Sequence, residues 1–335
     1  MREPAIGTGH IGDRWRMLAL DQVIRRNDYF LRRRDLLARG FGDHQIRQEL
    51  GAGRIFRVRH GWYSVPDAPE SAVLAVRVGG RLTSISALET YGLRVPNRGA
   101  IHVAVRASAS RLRNPQHRRE RLRRRDPVRI HWNDRPSDGG TVWRASIADA
   151  LLVVLNTESR EIAVACCSAA MRHKKLSWPE LDAIFQRAQS RVKCWRGLVS
   201  ALDDSHGETF TRLWFMDAGI QFEQQAQIRG VGQLDFKVGP HSYVEVDGRQ
   251  HDPAWTGEGE SNWEKDLDRR TTMAIRGDRV EHYSYLLLYT QWPRVLAAIQ
   301  RMIADDLATT ALRLRHPYRP SAPRKRRSSA RKALW

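Results

Sequence analysis

The chain has 335 residues, 41% of them apolar, and a formal net charge of +20, which predicts two or three globular domains and a polyanionic partner. No stretch approaches the roughly 18 consecutive apolar residues of a membrane span, and residues 1–15 lack the apolar core of a secretory signal, so a cytoplasmic protein with no membrane partner is expected. Three cysteines, Cys166, Cys167 and Cys194, without the paired spacing of a zinc site, exclude a disulfide framework and are expected as buried thiols.

The charge is concentrated. Residues 111–125 carry eight Arg and one Glu, and residues 313–335 carry nine Arg or Lys and no acid, so the rest of the chain is nearly neutral. Arginine outnumbers lysine 50 to 7, which the codon usage of a GC-rich genome explains as well as phosphate recognition does. The two runs are more informative: each is expected as a looped or disordered strip that neutralises phosphates by counterion release.

Along the chain, the first elements are three short helices and a hairpin. Residues 14–26 carry Met17, Leu18, Leu20, Val23 and Ile24, and residues 32–39 carry Leu36 and Leu37. Gly40-Phe41-Gly42 breaks the chain, and Asp43 is placed to cap a third helix bearing Ile46 and Leu50. Two β-rich runs, 54–59 and 62–65, flank the turn at His60-Gly61. This is the order of a winged helix-turn-helix, whose third helix enters the major groove. His44, Gln45, Arg47 and Gln48 lie off the apolar stripe and are the candidate DNA readers. Leu36-Leu37-Ala38-Arg39-Gly40 and the stretch from Gly53-Arg54-Ile55 to Gly61-Trp62-Tyr63 resemble the winged-helix domain of AbiEi-family antitoxins. That resemblance, over about residues 14–68, implies transcriptional autoregulation and a cognate toxin or operon partner.

Residues 69–160 read as an α/β middle region, with a helix at 84–92, strands at 101–106 and 128–132, and the arginine run between those strands. Residues 161–204 read as a helical spacer in which Ser177 or Trp178 caps a helix with Pro179 in its first turn.

The segment 205–307 predicts helix 206–217, strands near 222–229, 232–238 and 242–247, helix 262–276, strand 280–288 and helix 292–307, leaving a basic disordered tail from 308 to 335. Asp235 falls inside the apolar run Leu234-Asp-Phe-Lys-Val238, and Glu245 and Asp247 interrupt Tyr243-Val-Glu-Val-Asp247. Strand periodicity puts Glu245 and Asp247 on one face and Val244 and Val246 on the other. Like charges about 4 Å apart repel by about 4 kcal/mol at an effective dielectric near 20, so solvent or a positive group must sit between them. A hard divalent cation held by Asp235, Glu245 and Asp247, with the Val246 carbonyl, would meet that need, and Mg2+ or Mn2+ in such a setting activates water for phosphodiester attack.

Gln233-Leu-Asp235-Phe and Val244-Glu-Val-Asp247-Gly248-Arg-Gln-His251 resemble the family related to very-short-patch-repair endonucleases, within the PD-(D/E)xK superfamily. The resemblance implies a helix-borne acid at Glu208, metal-binding acids at Asp235 and Glu245, a further site position at Asp247, an accessory group at His251, and a later helix pattern at Asp266 and Arg269. The superfamily lysine, two residues after Glu245, is Asp247, a replacement usual in this family; Lys237 could supply the missing positive charge. Glu208 also fits a capping box from Ser205 and a pair with Arg212. The expected architecture is a multidomain α+β protein: an N-terminal winged helix-turn-helix, a helical middle region and a C-terminal restriction-endonuclease-like αβββαβ domain. The expected function is metal-dependent DNA cleavage. The alternatives are a non-catalytic DNA-binding antitoxin or repressor and an RNA-directed nuclease.

Overall fold

In a computed structural model of the chain, residues 18–96, 99–132, 139–247 and 259–315 are described. The fold is α+β: eleven α-helices, one 3-10 helix and three small sheets among the described residues. The chain divides into two compact units, residues 1–213 and 214–335.

The first unit opens with α1 (Leu20–Arg26), β1 (Phe30–Arg32), α2 (Arg33–Ala38), α3 (Asp43–Gly51), β2 (Phe56–Arg59) and β3 (Trp62–Ser64). β1 is an addition to the sequence reading. It forms because Asp28 and Tyr29 both take positive φ, 54° and 68°, and turn the chain so that Phe30 pairs with Ser64. The sheet order is β1-β3-β2, antiparallel throughout. Val23, Ile24, Leu36, Ile46, Ile55 and Tyr63 form one buried cluster beneath it. Gly40, at φ 89°, makes the α2–α3 turn in a region side chains disfavour. Asp43 is not the cap of α3. Gly42 occupies that position, its N–H donating to Gln45 Oε1, while Asp43 is the first helical residue and binds Arg33.

α4 (Glu70–Val78), β4 (Arg81–Leu82), α5 (Ser84–Thr90), β5 (Ile101–Val105) and β6 (Val128–Trp132) follow. β5 and β6 run parallel, with Ile101 opposite Val128, and parallel neighbours need a crossover of a dozen or more residues. Here the arginine run is that crossover. α6 (Ile147–Thr157), α7 (Arg160–Arg172), α8 (Trp178–Arg187), a 3-10 helix (Ser190–Leu198) and α9 (His206–Asp217) complete the helical part. Ser146, Ser159 and Ser177 cap α6, α7 and α8, settling the choice between Ser177 and Trp178. Cys166 and Cys167 are buried on α7 as expected, but Cys194 is exposed, because its 3-10 helix buries only Val192.

His102 on β5 and His131 on β6 are buried side by side, Nε2 of His131 lying 3.2 Å from Nδ1 of His102. Burial, aided by the nearby Arg129 guanidinium, pushes both down to about 4. The unfolded chain takes up these protons near pH 6.5, the folded chain only near 4, so stability is full above about 6.5 and falls as pH drops through that window. Its slope approaches about 1.4 kcal/mol per pH unit for each histidine. Thermal melts should show the loss in wild type and a shallower one in a His102→Gln/His131→Gln variant. Parallel curves would contradict this reading of the pair.

The second unit holds a four-stranded sheet of β7 (Glu223–Ile228), β8 (Gly232–Lys237), β9 (Ser242–Asp247) and β10 (Arg279–Ser284), in the order β10-β9-β8-β7. β10 is parallel to β9; the other pairs are antiparallel. α10 (Gly259–Arg276) precedes β10, and α11 (Tyr285–Arg315) follows it. One sheet face packs Phe236, Val244 and Val246 against Phe215 of α9 and Leu288, Val295 and Ile299 of α11. The other packs Leu234 and Tyr243 against Met273 of α10. The expected strand at 280–288 ends early, because Ser284 Oγ accepts the Leu287 N–H and starts α11 at Tyr285. Non-helical Gln291 then interrupts α11 two residues before Pro293, where an uninterrupted helix would force the proline ring against the preceding turn.

Candidate functional site

The acids of β9 lie where strand alternation predicts. Val244 and Val246 enter the α9/α11 core, while Tyr243, Glu245 and Asp247 share the face covered by α10. Lys237 pairs with Tyr243 across the antiparallel ladder and shares its face, but regular alternation breaks just before it: Leu234 packs with Tyr243 while Phe236 enters the opposite core, and Asp235 sits at that break. The β8–β9 ladder runs no further than the Phe236–Val244 pair. Beyond it the Asp235 carboxylate accepts the Val246 N–H at 2.8 Å, a side chain substituting for a backbone carbonyl.

Two basic side chains face Glu245. Arg269, on α10 one turn before Met273, donates to Glu245 Oε1 at 3.1 Å and to the Gln233 carbonyl at 3.2 Å, tying the helix to both acidic strands. His282, directly opposite Glu245 in the parallel β9–β10 register, places Nδ1 3.3 Å from Glu245 and 3.7 Å from Asp247. The carboxylates are therefore balanced partly by protein groups. Sequence reading places Arg269 only as part of a helix pattern with Asp266, and it misses His282. The signal for His282 is the alternation Val280, His282, Ser284, which puts it on the face of Glu245 and Asp247 once β10 is paired beside β9.

Glu208 belongs to the first unit and serves the start of α9: its N–H donates to Ser205 Oγ at 3.1 Å and its carboxylate accepts the Asp204 N–H at 2.9 Å. Arg212 forms a buried two-bond pair with Asp203, each bond 2.9 Å. The basic run 313–335, expected as a looped or disordered strip, begins instead as helix, since α11 continues to Arg315; residues 316–335 and His251 lie outside the described residues, as does the side chain of Asp266. His44, Gln45, Arg47 and Gln48 are all exposed on α3, around buried Ile46. The acids flanking them are occupied, Asp43 by Arg33 and Glu49 by Arg54 at 2.6 Å. The exposed face of α3 is thus left with the charge of Arg47.

Among the described residues, no three His, Cys, Asp or Glu side chains converge as a ready metal ligand set, and no helix is long and apolar enough to cross a membrane. The donor chemistry still suits a hard divalent ion, since the Asp235 carboxylate of β8 reaches β9 between Glu245 and Asp247. No protein-family model and no curated protein matches this chain. The resemblances to AbiEi antitoxins and to short-patch-repair endonucleases rest on the motif residues alone.

Proposed function

We propose that the chain is a DNA-binding protein whose N-terminal helices dock on duplex DNA as a winged helix-turn-helix and whose C-terminal unit is a metal-dependent endonuclease of the PD-(D/E)xK kind. The DNA-binding part is supported by α3, whose exposed His44, Gln45, Arg47 and Gln48 flank a single buried Ile46, beside a β1-β3-β2 sheet that ends in a two-stranded wing. The observation that carries the nuclease part is the Asp235 carboxylate bonded to the N–H of Val246, the residue between Glu245 and Asp247.

Asp235 and Glu245 would hold the divalent ion, which supplies an activated water when bound. Asp235 also fixes the end of β9 through the Val246 N–H. The Arg269 guanidinium offsets part of the repulsion around Glu245. With Asp247 standing where the superfamily carries lysine, His282 Nδ1 is the described proton acceptor beside the acids.

Arg269 and His282 also favour a second reading, in which the acids are satisfied by protein groups and the domain is the platform of a non-catalytic antitoxin or repressor. Selection from random duplexes tests the DNA-binding part common to both. The purified chain should enrich a preferred sequence, and Arg47→Ala or Gln48→Ala should relax it by about 1–3 kcal/mol at one position. Enrichment of nothing would overturn the reading.

A further inference from the structure

We infer that the groove between β2 and the arginine crossover is a second DNA contact, a seat for the sugar-phosphate backbone beside the segment that α3 reads. This rests on the DNA-binding reading above and adds a surface that no winged-helix motif predicts. The groove has a volume of about 810 Å3 and is lined by Arg57, Arg77, Arg118 and Arg119, with Glu120 the one acid among its described lining residues. Leu50, in the last turn of α3, and Ile55, just before β2, also line it, so it is continuous with the helix-and-wing surface.

The crossover is a folded hairpin. Arg113 bridges Arg121, Leu122 N–H donates to the Leu112 carbonyl at 3.1 Å, and the Asn114 side chain accepts from Gln116 and His117. It is also pinned to the body of the unit. Arg113 N–H donates to the Val78 carbonyl, and Arg77 Nη1 donates to the Pro115 and Gln116 carbonyls at 2.8 and 3.1 Å. Arg118, Arg119 and Arg121 are exposed. Guanidinium groups match phosphate oxygens with two parallel donors, and a pinned backbone reduces the ordering cost of presenting them. A row of arginines along an open groove suits a repeating anion.

The test uses the full chain and fluorescent duplexes at several salt concentrations. Arg118→Ala/Arg119→Ala should lower the slope of log K against log salt by about 2, near 0.9 per lost phosphate contact. Its affinity loss should be the same for preferred and scrambled duplexes. Arg118→Lys/Arg119→Lys should keep the slope, and Gln48→Ala should lose sequence preference at nearly unchanged slope. Both arginine variants should melt with wild type, because the altered side chains are exposed. A wild type that binds with strong salt dependence beside an alanine variant of unchanged slope would overturn the groove and leave the α3 reading standing. No duplex binding by wild type would overturn both. Tighter binding of single-stranded RNA than duplex DNA through the same arginines would also overturn the assignment.

Discussion

Asp235→Asn and Glu245→Gln should each reduce Mg2+-dependent cleavage of duplex DNA by about a thousandfold or more, with DNA affinity changed little. A metal-activated water is worth several kcal/mol of barrier, and about 1.4 kcal/mol is tenfold in rate. The amide variants matter for Asp235, whose carboxylate holds the Val246 N–H. Alanine would remove charge and hydrogen bond together, costing about 1–3 kcal/mol of stability if the N–H were left buried and unpaired. Asparagine keeps an oxygen that can accept that N–H, so Asp235→Asn should melt near wild type while failing to cut. His282→Ala should slow cleavage less than either acid variant, because its side chain lies beside Glu245 and Asp247 rather than among the proposed ion-holding acids. Cleavage that survives loss of both acids would remove the assignment.

The largest stability effect is expected away from the site. Asp203→Ala should destabilise the first unit by about 3–5 kcal/mol, the cost of leaving one partner of a buried ion pair alone. Side-chain exposure is 6% for Arg212 and 1% for Asp203. Arg212 also donates to the Leu198 carbonyl at 2.7 Å, and Thr209 Oγ1 donates to Asp203 at 2.9 Å. Replacing both charges, Asp203→Leu with Arg212→Met, should recover part of the loss, since apolar groups of similar volume need no counter-ion. Denaturant unfolding of the three variants against wild type measures it. A single-variant loss under about 1 kcal/mol would mean that water reaches the pair, as it does for exposed pairs.

Long, strongly patterned elements are legible in the sequence. Tyr243 to Asp247 alternates apolar and acidic residues, which fixes β9, its two faces and the placement of Glu245 and Asp247 before any coordinates. α9 is marked by its apolar spacing after Ser205 and by Gly219 beyond its end. Short elements are not legible, because their cause is tertiary. β1 has three residues and exists through its pairing with β3, and β4 has two, opposite Val103 and Ala104. The end of β10 turns on one hydroxyl, Ser284, whose β-rich neighbours read equally well as more strand. Partners across strands are hidden for the same reason: His282 meets Glu245 only through a parallel register, and Arg269 reaches it from a helix 24 residues on. The arginine run is visible as charge, but its fold as a pinned crossover follows from the parallel pairing of β5 and β6.

The central claim is that this chain cuts DNA. Its most direct test is incubation of the purified full chain with supercoiled and linear duplex DNA in Mg2+, in Mn2+ and in EDTA, with Asp235→Asn in parallel. The account predicts cleavage with either metal ion and none in EDTA or in the variant. Tight, salt-dependent binding of the same DNA with no cutting under any of these conditions would contradict it and leave the non-catalytic repressor in its place.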